Sequence, residues 1–237
     1  MSTNLKVFSA PAAAAEACGT AIFELLARAR SLRGRATLAV SGGTTPRIMF
    51  EWMARQAFDW TAVHLFWVDE RCVPADDAQS NYRMTRESLL DTIALGPDQV
   101  HRVPVELEPA AAAAAYAGEI RRVLGLPDGE LPVFDVLQRG MGPDAHTASL
   151  FPGEALIADR TGIAAAVWVE KFGQYRVTLL PGVLERARTT LCLVTGADKA
   201  AALREVLEGT GEVLQVPSKL SSPEMLWFLD AAAVRRA

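Results

Sequence analysis

The chain has 237 residues, 50% hydrophobic and 22% charged, a composition that supports a packed core and excludes extended disorder. A formal net charge of −4 argues against a nucleic-acid binder held by counterion release, which leaves small anions as the better-suited partners. Three cysteines, Cys18, Cys72 and Cys192, are too few and too scattered for a disulfide framework or a zinc site, so the expected compartment is the reducing cytoplasm; no apolar run reaches the length of a membrane span.

In chain order, LKVF (5–8) reads as a strand. The segment after it superficially resembles a signal peptide. Pro11 interrupts the apolar stretch, however, and Ala14, Cys18, Ile22, Leu25 and Leu26 recur at helical spacing, which predicts a helix over 12–30. The strand ATLAV (36–40) runs into Ser41-Gly42-Gly43-Thr44-Thr45-Pro46. Thr45 is expected to cap a helix that begins at Pro46, leaving the amides of Gly42, Gly43 and Thr44 free to face a phosphate. The lysine of a P-loop is missing there, and so is a dinucleotide fingerprint.

Next, VHLFWV (63–68) discharges into Asp69, Glu70 and Arg71. Arg71 offers a rigid donor fork that Asp69 or Glu70 could hold in place, the alternative being a solvated loop with one ion pair. Ser80 and Asn81 open a helix, so the 71–80 connection reads as a lid over a crevice. VHRV (100–103) is a further strand, and Pro109 starts a helix that absorbs the alanine run and YAGEIRRVL. VFDVL (133–137) then ends in a glycine-rich turn, Gly140-Met141-Gly142, followed by Asp144-Ala145-His146. A strand stopping there brings an imidazole, a carboxylate and bare amides to the carboxyl end of a sheet, where open α/β folds keep their ligands.

AAVWV (165–169) and RVTLL (176–180) flank Phe172-Gly173-Gln174 closely enough to predict an antiparallel hairpin. TLCLVT (190–195) passes through Gly196 to Lys199, which sits in a first helical turn and can lean toward an anion. Arg176 and Lys171 are either anion ligands or ordinary surface cations, and His64 and His101 lie within strand patterns that suit core or surface roles. The alternation of strands and helices implies an α/β fold. The expected architecture is a three-layer αβα sandwich on a mainly parallel, doubly wound sheet with a small antiparallel hairpin, formed as a single domain over 1–237.

LAVSGGTTP, VDERCVP with the following Ser80-Asn81-Tyr82, GMGPDAHTASLFPG, RVTLLPGVL and VTGADKAAAL occur in the order seen in the 6-phosphogluconolactonase family, a branch of the glucosamine-6-phosphate deaminase and isomerase superfamily, and nearly the whole chain resembles it. HTASLFPG after DER is specific to the lactonase branch. The resemblance implies hydrolysis of 6-phosphoglucono-1,5-lactone in the oxidative pentose phosphate pathway, with a phosphorylated sugar lactone as partner and no metal or organic cofactor. It implies His146 as general base, Asp144 as its orienting carboxylate and Arg71 as a helper at the oxyanion. It places Ser41, Gly42, Gly43, Thr44, Asp69, Gly140, Met141, Arg176 and Lys199 around the substrate, with turn amides at Gly140 to Gly142 facing the developing alkoxide. Oligomeric state stays open. Where such lactonases usually carry a Gly-Glu-Asp-Gly-His type of run, this chain reads Gly142-Pro143-Asp144-Ala145-His146, and Gln138-Arg139 replaces commonly apolar residues at the strand end. Two alternatives are an aldose-ketose isomerase or deaminase with Asp69 as carbon base, and a catalytically silent phosphosugar binder. A serine hydrolase built on Ser149 lacks the nucleophile elbow.

Overall fold

The computed structural model describes residues 4–235. A seven-stranded sheet carries the molecule. It comprises β1 (Asn4–Phe8), β2 (Ala36–Val40), β3 (Val63–Trp67), β5 (Val100–His101), β6 (Val136–Arg139), β9 (Thr189–Val194) and β10 (Glu224–Asp230), in the order β1-β10-β9-β6-β2-β3-β5. Every adjacent pair in it is parallel. A second sheet, in the order β4-β8-β7, is antiparallel and consists of β4 (Asp69–Arg71), β7 (Ala164–Val169) and β8 (Gln174–Leu179).

The strand interiors explain why helices cover both faces. Leu38 and Val40, Leu65 and Trp67, and Leu191 and Leu193 point into one apolar cluster with Ile22, Leu26, Met49 and Phe50. The intervening Ala39, Phe66 and Leu137 point into another with Tyr116, Ile120 and Leu179, while Cys192 and Val194 join Leu203 and Trp227 in a third. Strands buried on both faces read as continuous apolar runs, as a parallel sheet requires.

Helix α1 (Pro11–Arg33) begins with proline in its first turn and ends at Gly34, whose φ of 73° lets its N–H reach back to the Arg30 carbonyl at 2.8 Å. It packs closely on α2 (Thr44–Met53) because Gly19 stands against Trp52, where a Cβ would lie only 2.9 Å from the indole. The helices α3 (Asn81–Thr85), α4 (Pro109–Leu124), α5 (Pro181–Leu184) and α6 (Ala200–Leu207) complete the helical set.

Several expectations shift. The strand predicted over 133–137 runs instead over Val136–Arg139, because Gln138 and Arg139 are buried in the sheet although polar. Asp69 to Arg71 form a strand and not a solvated loop: they pair with β8, and Asp69 and Glu70 are buried. The segment EMLWFLD, which the expected strands do not include, forms β10 between β1 and β9. All strands run the same way, but the order in which the chain visits them reverses between β6 and β2. The connection after β2 leads outward toward β3 and that after β6 toward β9, so the loops following these two strands separate and leave a crevice at their carboxyl ends.

Candidate active site

A cleft of about 460 Å³ occupies that crevice. One wall is the loop after β2 and the start of α2, Ser41 to Pro46; the other is the loop after β6, which contributes Gly140 to Pro143 and His146 to Ala148. Asp69, Arg71 and Arg176 enter from the small sheet, and Thr195, Asp198 and Lys199 from the end of β9. Each predicted site residue lines this cleft except Asp144, which stands directly behind His146.

The histidine is fixed by its own turn. Its Nδ1 lies 2.5 Å from Asp144 Oδ1, which also accepts the His146 backbone N–H at 3.3 Å. A carboxylate can only accept here, so Nδ1 carries the proton and Nε2 is left as the basic nitrogen. Burial pushes the imidazole below its ordinary pKa, and the charge of Asp144 opposes that shift without cancelling it. Burial alone would raise Asp144, but the facing imidazolium and its hydrogen bonds outweigh it and hold the carboxyl below the usual range. Phe151 lies against the ring with centroids 4.2 Å apart. Gly142 makes the arrangement sterically possible: a Cβ on it would stand 2.0 Å from Nδ1. The Gly142 amide donates to the His146 carbonyl at 2.9 Å, so it closes the turn and is not free to face an alkoxide as expected. Ala145 adopts φ 62°, the left-handed region that costs a non-glycine residue roughly 1–2 kcal/mol.

On the small sheet, Arg71 and Arg176 are directly opposite one another across the β4–β8 ladder. Like charges facing across a ladder repel, an arrangement that an anion between them would relieve. Among the described residues neither guanidinium has a carboxylate partner; that of Arg71 donates to the Gln79 carbonyl, and Arg176, 6% exposed, is flanked by the rings of Phe172 and Phe151 at 4.7 and 5.8 Å. Burial lowers the Arg176 pKa from its ordinary value.

The acids expected to hold Arg71 do other work. The Glu70 carboxylate accepts the N–H groups of Arg71, Asn81 and Tyr82 and the Ser80 hydroxyl, at 2.7 to 3.1 Å, and so ties β4 to the start of α3. Asp69 accepts the Ser149 hydroxyl at 2.7 Å. Ser149 is also fully buried, out of reach of a substrate, which argues against it as a nucleophile. Of the 71–80 connection only Arg71 lines the cleft, so this segment is no lid; it is pinned by Arg71 to Gln79, Arg83 to the Asp76 carbonyl and Ser80 N–H to the Asp77 carbonyl.

On the β2 side of the cleft, α2 starts two residues earlier than expected, at Thr44, with Gly43 as the preceding residue and no side-chain cap. Thr45 does not cap it: its hydroxyl lies 2.7 Å from that of Thr195 and ties the helix to the end of β9. The uncapped first turn and Gly43, at φ 117°, nevertheless line the cleft. Lys199 reaches the same cleft with its ammonium 2.9 Å from Asp198. Lys171 is the exposed partner of Asp144 at 3.5 Å and is not among the lining residues. His64 and His101 bond to one another at 3.0 Å, away from the cleft lining. Among the described residues no group of three or more His, Cys, Asp or Glu side chains is placed to hold a metal. Asn81 was not anticipated as a cleft residue. It holds the Asp69 carbonyl through its side-chain amide at 2.9 Å, and Gly42 leaves it room, since a Cβ there would lie 1.8 Å from Asn81 Oδ1.

A family model described as glucosamine-6-phosphate isomerases/6-phosphogluconolactonase matches residues 9–227. The chain belongs to this family. Among its relatives, the 6-phosphogluconolactonase of Nostoc sp. is 38% identical over 204 residues, spanning 85% of this chain and 84% of that protein. The 6-phosphogluconolactonase of Treponema pallidum is 42% identical over 172 residues, 71% of each chain. The solved structure of 6-phosphogluconolactonase from Trypanosoma cruzi superposes with a TM-score of 0.88 at 27% identity, covering 98% of this chain and 95% of that one. The fold predicted from strand alternation is therefore that of this family, and the lactonase branch indicated by HTASLFPG is the one to which these relatives belong.

Proposed function

We propose that the chain hydrolyses 6-phospho-D-glucono-1,5-lactone to 6-phospho-D-gluconate, the lactone-opening step of the oxidative pentose phosphate pathway. The observation that carries this reading is that a base–carboxylate pair, His146 with Asp144, borders the same cleft as an unpaired buried arginine and an amide-lined helix start. An activated lactone needs little more: a positioned base, donors for the oxyanion and an anchor for the phosphate.

His146 Nε2 takes a proton from water as its oxygen attacks the lactone carbonyl carbon, while Asp144 stabilises the imidazolium. The tetrahedral oxyanion is met by Arg71, with Gly140 and Met141 beside it; when the bond to the ring oxygen breaks, the imidazolium returns the proton to that oxygen. A general acid–base residue in this role typically contributes about 100- to 10,000-fold. The 6-phosphate rests on Ser41, Gly42, Gly43 and Thr44, with Lys199 and Arg176 as cationic partners and Asp69 holding sugar hydroxyls. Binding so far from the reacting carbon keeps the ring in register with the base. The reading treats the chain as a single catalytic unit, supported by the pairing of β1 with β10, and places it in the cytoplasm, supported by its three free thiols.

The test is lactone hydrolysis corrected for spontaneous opening. Wild-type protein is expected to exceed background and His146→Ala to lose most of the gain. Equal rates with and without wild-type protein would end the proposal.

A further inference from the structure

Arg139 ends β6, immediately before the catalytic turn, and is 2% exposed, yet among the described residues no carboxylate bonds to it. A buried charge without a counter-charge is costly to keep, so its acceptors matter. Its oxygen acceptors are the Thr147 hydroxyl at 3.2 Å, the Ser218 carbonyl at 3.4 Å and the Leu220 carbonyl, and the sulfurs of Met225, at 3.8 Å, and Cys192 are weaker partners. Thr147 follows His146 directly, and its hydroxyl in turn donates to the Gly140 carbonyl at 3.2 Å. Ser218 belongs to the short turn Pro217–Lys219, between α6 and β10, and is also buried. Its N–H donates to the Ala145 carbonyl at 2.9 Å and its hydroxyl to the His146 carbonyl at 3.1 Å. The turn is itself anchored, since Lys219 Nζ donates to the carbonyls of Gly209 and Gly211 at 2.7 Å each.

The backbone on either side of His146 is therefore gripped from a segment more than seventy residues away, across the strained left-handed Ala145. We propose that Arg139 and Ser218 form a clamp that positions His146, with the guanidinium holding Ser218 in place and Ser218 holding the carbonyls of Ala145 and His146. Neither residue lines the cleft, so both act through the histidine and do not touch the substrate. This rests on the reading of His146 as the base. It has a consequence for the loop departures from the usual family pattern: a turn carrying alanine at φ 62° and proline at 143 needs holding, and this chain supplies a buried arginine to do it.

The clamp predicts a split between turnover and binding. In Ser218→Ala the hydroxyl bond to the His146 carbonyl is lost while the Ser218 N–H remains. A displacement of the base on the order of an ångström costs up to about 100-fold, so kcat is expected to fall roughly 10- to 100-fold. KM and the calorimetric affinity for 6-phosphogluconate should stay within about twofold, a bound set by the phosphate wall being untouched. The His146 ring, followed by NMR, should titrate at higher pH than in wild type, because its low pKa comes chiefly from burial and a loosened turn admits water. The charged groups around the ring, Asp144, Asp69 and Arg176, with Lys171 beyond Asp144, are unchanged by the substitution. Arg139→Met should reproduce the same pattern more strongly, and Arg139→Lys should recover only part of it, since an ammonium cannot span the acceptors of the fork.

An unchanged kcat and an unchanged His146 titration in Ser218→Ala would overturn the proposal. So would parallel loss of kcat, product affinity and melting temperature, which is what mere stapling of β10 to β6 produces. If wild-type protein shows no hydrolysis, the lactonase reading fails first. The His146 titration and product affinity still test the clamp, because neither requires turnover.

Discussion

Replacing Asp144 by Asn probes the proposed catalytic pair with the smallest change in shape. The Asp144 carboxylate lies 2.5 Å from His146 Nδ1 and, in the proposed mechanism, faces the charge that develops on the ring as it takes a proton from water. A hydrogen bond to a charged group contributes about 1.5–3 kcal/mol, and about 1.4 kcal/mol is tenfold in rate, so kcat should fall roughly 10- to 150-fold. The pH profile supplies an independent sign. Burial lowers the His146 pKa and the Asp144 charge raises it, so removing that charge lets the pKa fall further. The acid limb of kcat/KM in wild type is expected below the ordinary imidazole value of 6.5, and in Asp144→Asn at lower pH still, on a reduced plateau. The assay is proton release from the lactone in a pH-stat, with the spontaneous rate subtracted at each pH. A plateau within twofold of wild type, or an acid limb that moves to higher pH, would refute the assignment of Asp144 as the stabilising partner.

Other substitutions test the remaining walls. Gly142→Ala places a Cβ 2.0 Å from His146 Nδ1, so the imidazole must leave its position; hydrolysis should drop toward background while the far-ultraviolet circular dichroism is retained, and wild-type activity in this variant would contradict the described turn. In Arg176→Met the loss of one charge-assisted contact of about 1.5–3 kcal/mol should weaken binding of 6-phosphogluconate roughly 10- to 150-fold by calorimetry, with kcat changed much less; undiminished affinity would remove Arg176 from the anion site. A serine-directed phosphonate should fail to label the protein, because Ser149 is fully buried and its hydroxyl is bonded to Asp69; stoichiometric labelling of Ser149 would reopen the acyl-enzyme route.

The central strands were legible because β2, β3 and β9 are almost wholly buried, and their short, mostly apolar runs fit strands buried on both faces. β4 was not, because a strand of Asp-Glu-Arg has no hydrophobic signature: its pairing with β8 comes from backbone bonds, and its buried acids are satisfied by Ser149, Ser80 and the first amides of α3. The same limit applies to β6. Its end was misplaced because Gln138 and Arg139 look like residues beyond a strand, whereas Arg139 is buried by acceptors that lie near residue 220. At the site, Asp144 and His146 could be paired from their spacing of two residues, since one turn brings them together. Thr45 was misread as a cap because its partner, Thr195, is 150 positions away.

Local chemistry alone thus determined which residues could act: an imidazole beside a carboxylate, glycines that open a helix start, and cations at strand ends. Those features depend on bonds and torsions spanning a few residues, and they are written in the order of the chain. Only the tertiary structure decided which cations remain unpaired, which acids serve as braces and which distant turn grips the backbone around His146. These outcomes depend on long-range register, such as Arg71 facing Arg176 and Ser218 meeting His146, where burial removes water and each polar group must find its partner from another part of the chain.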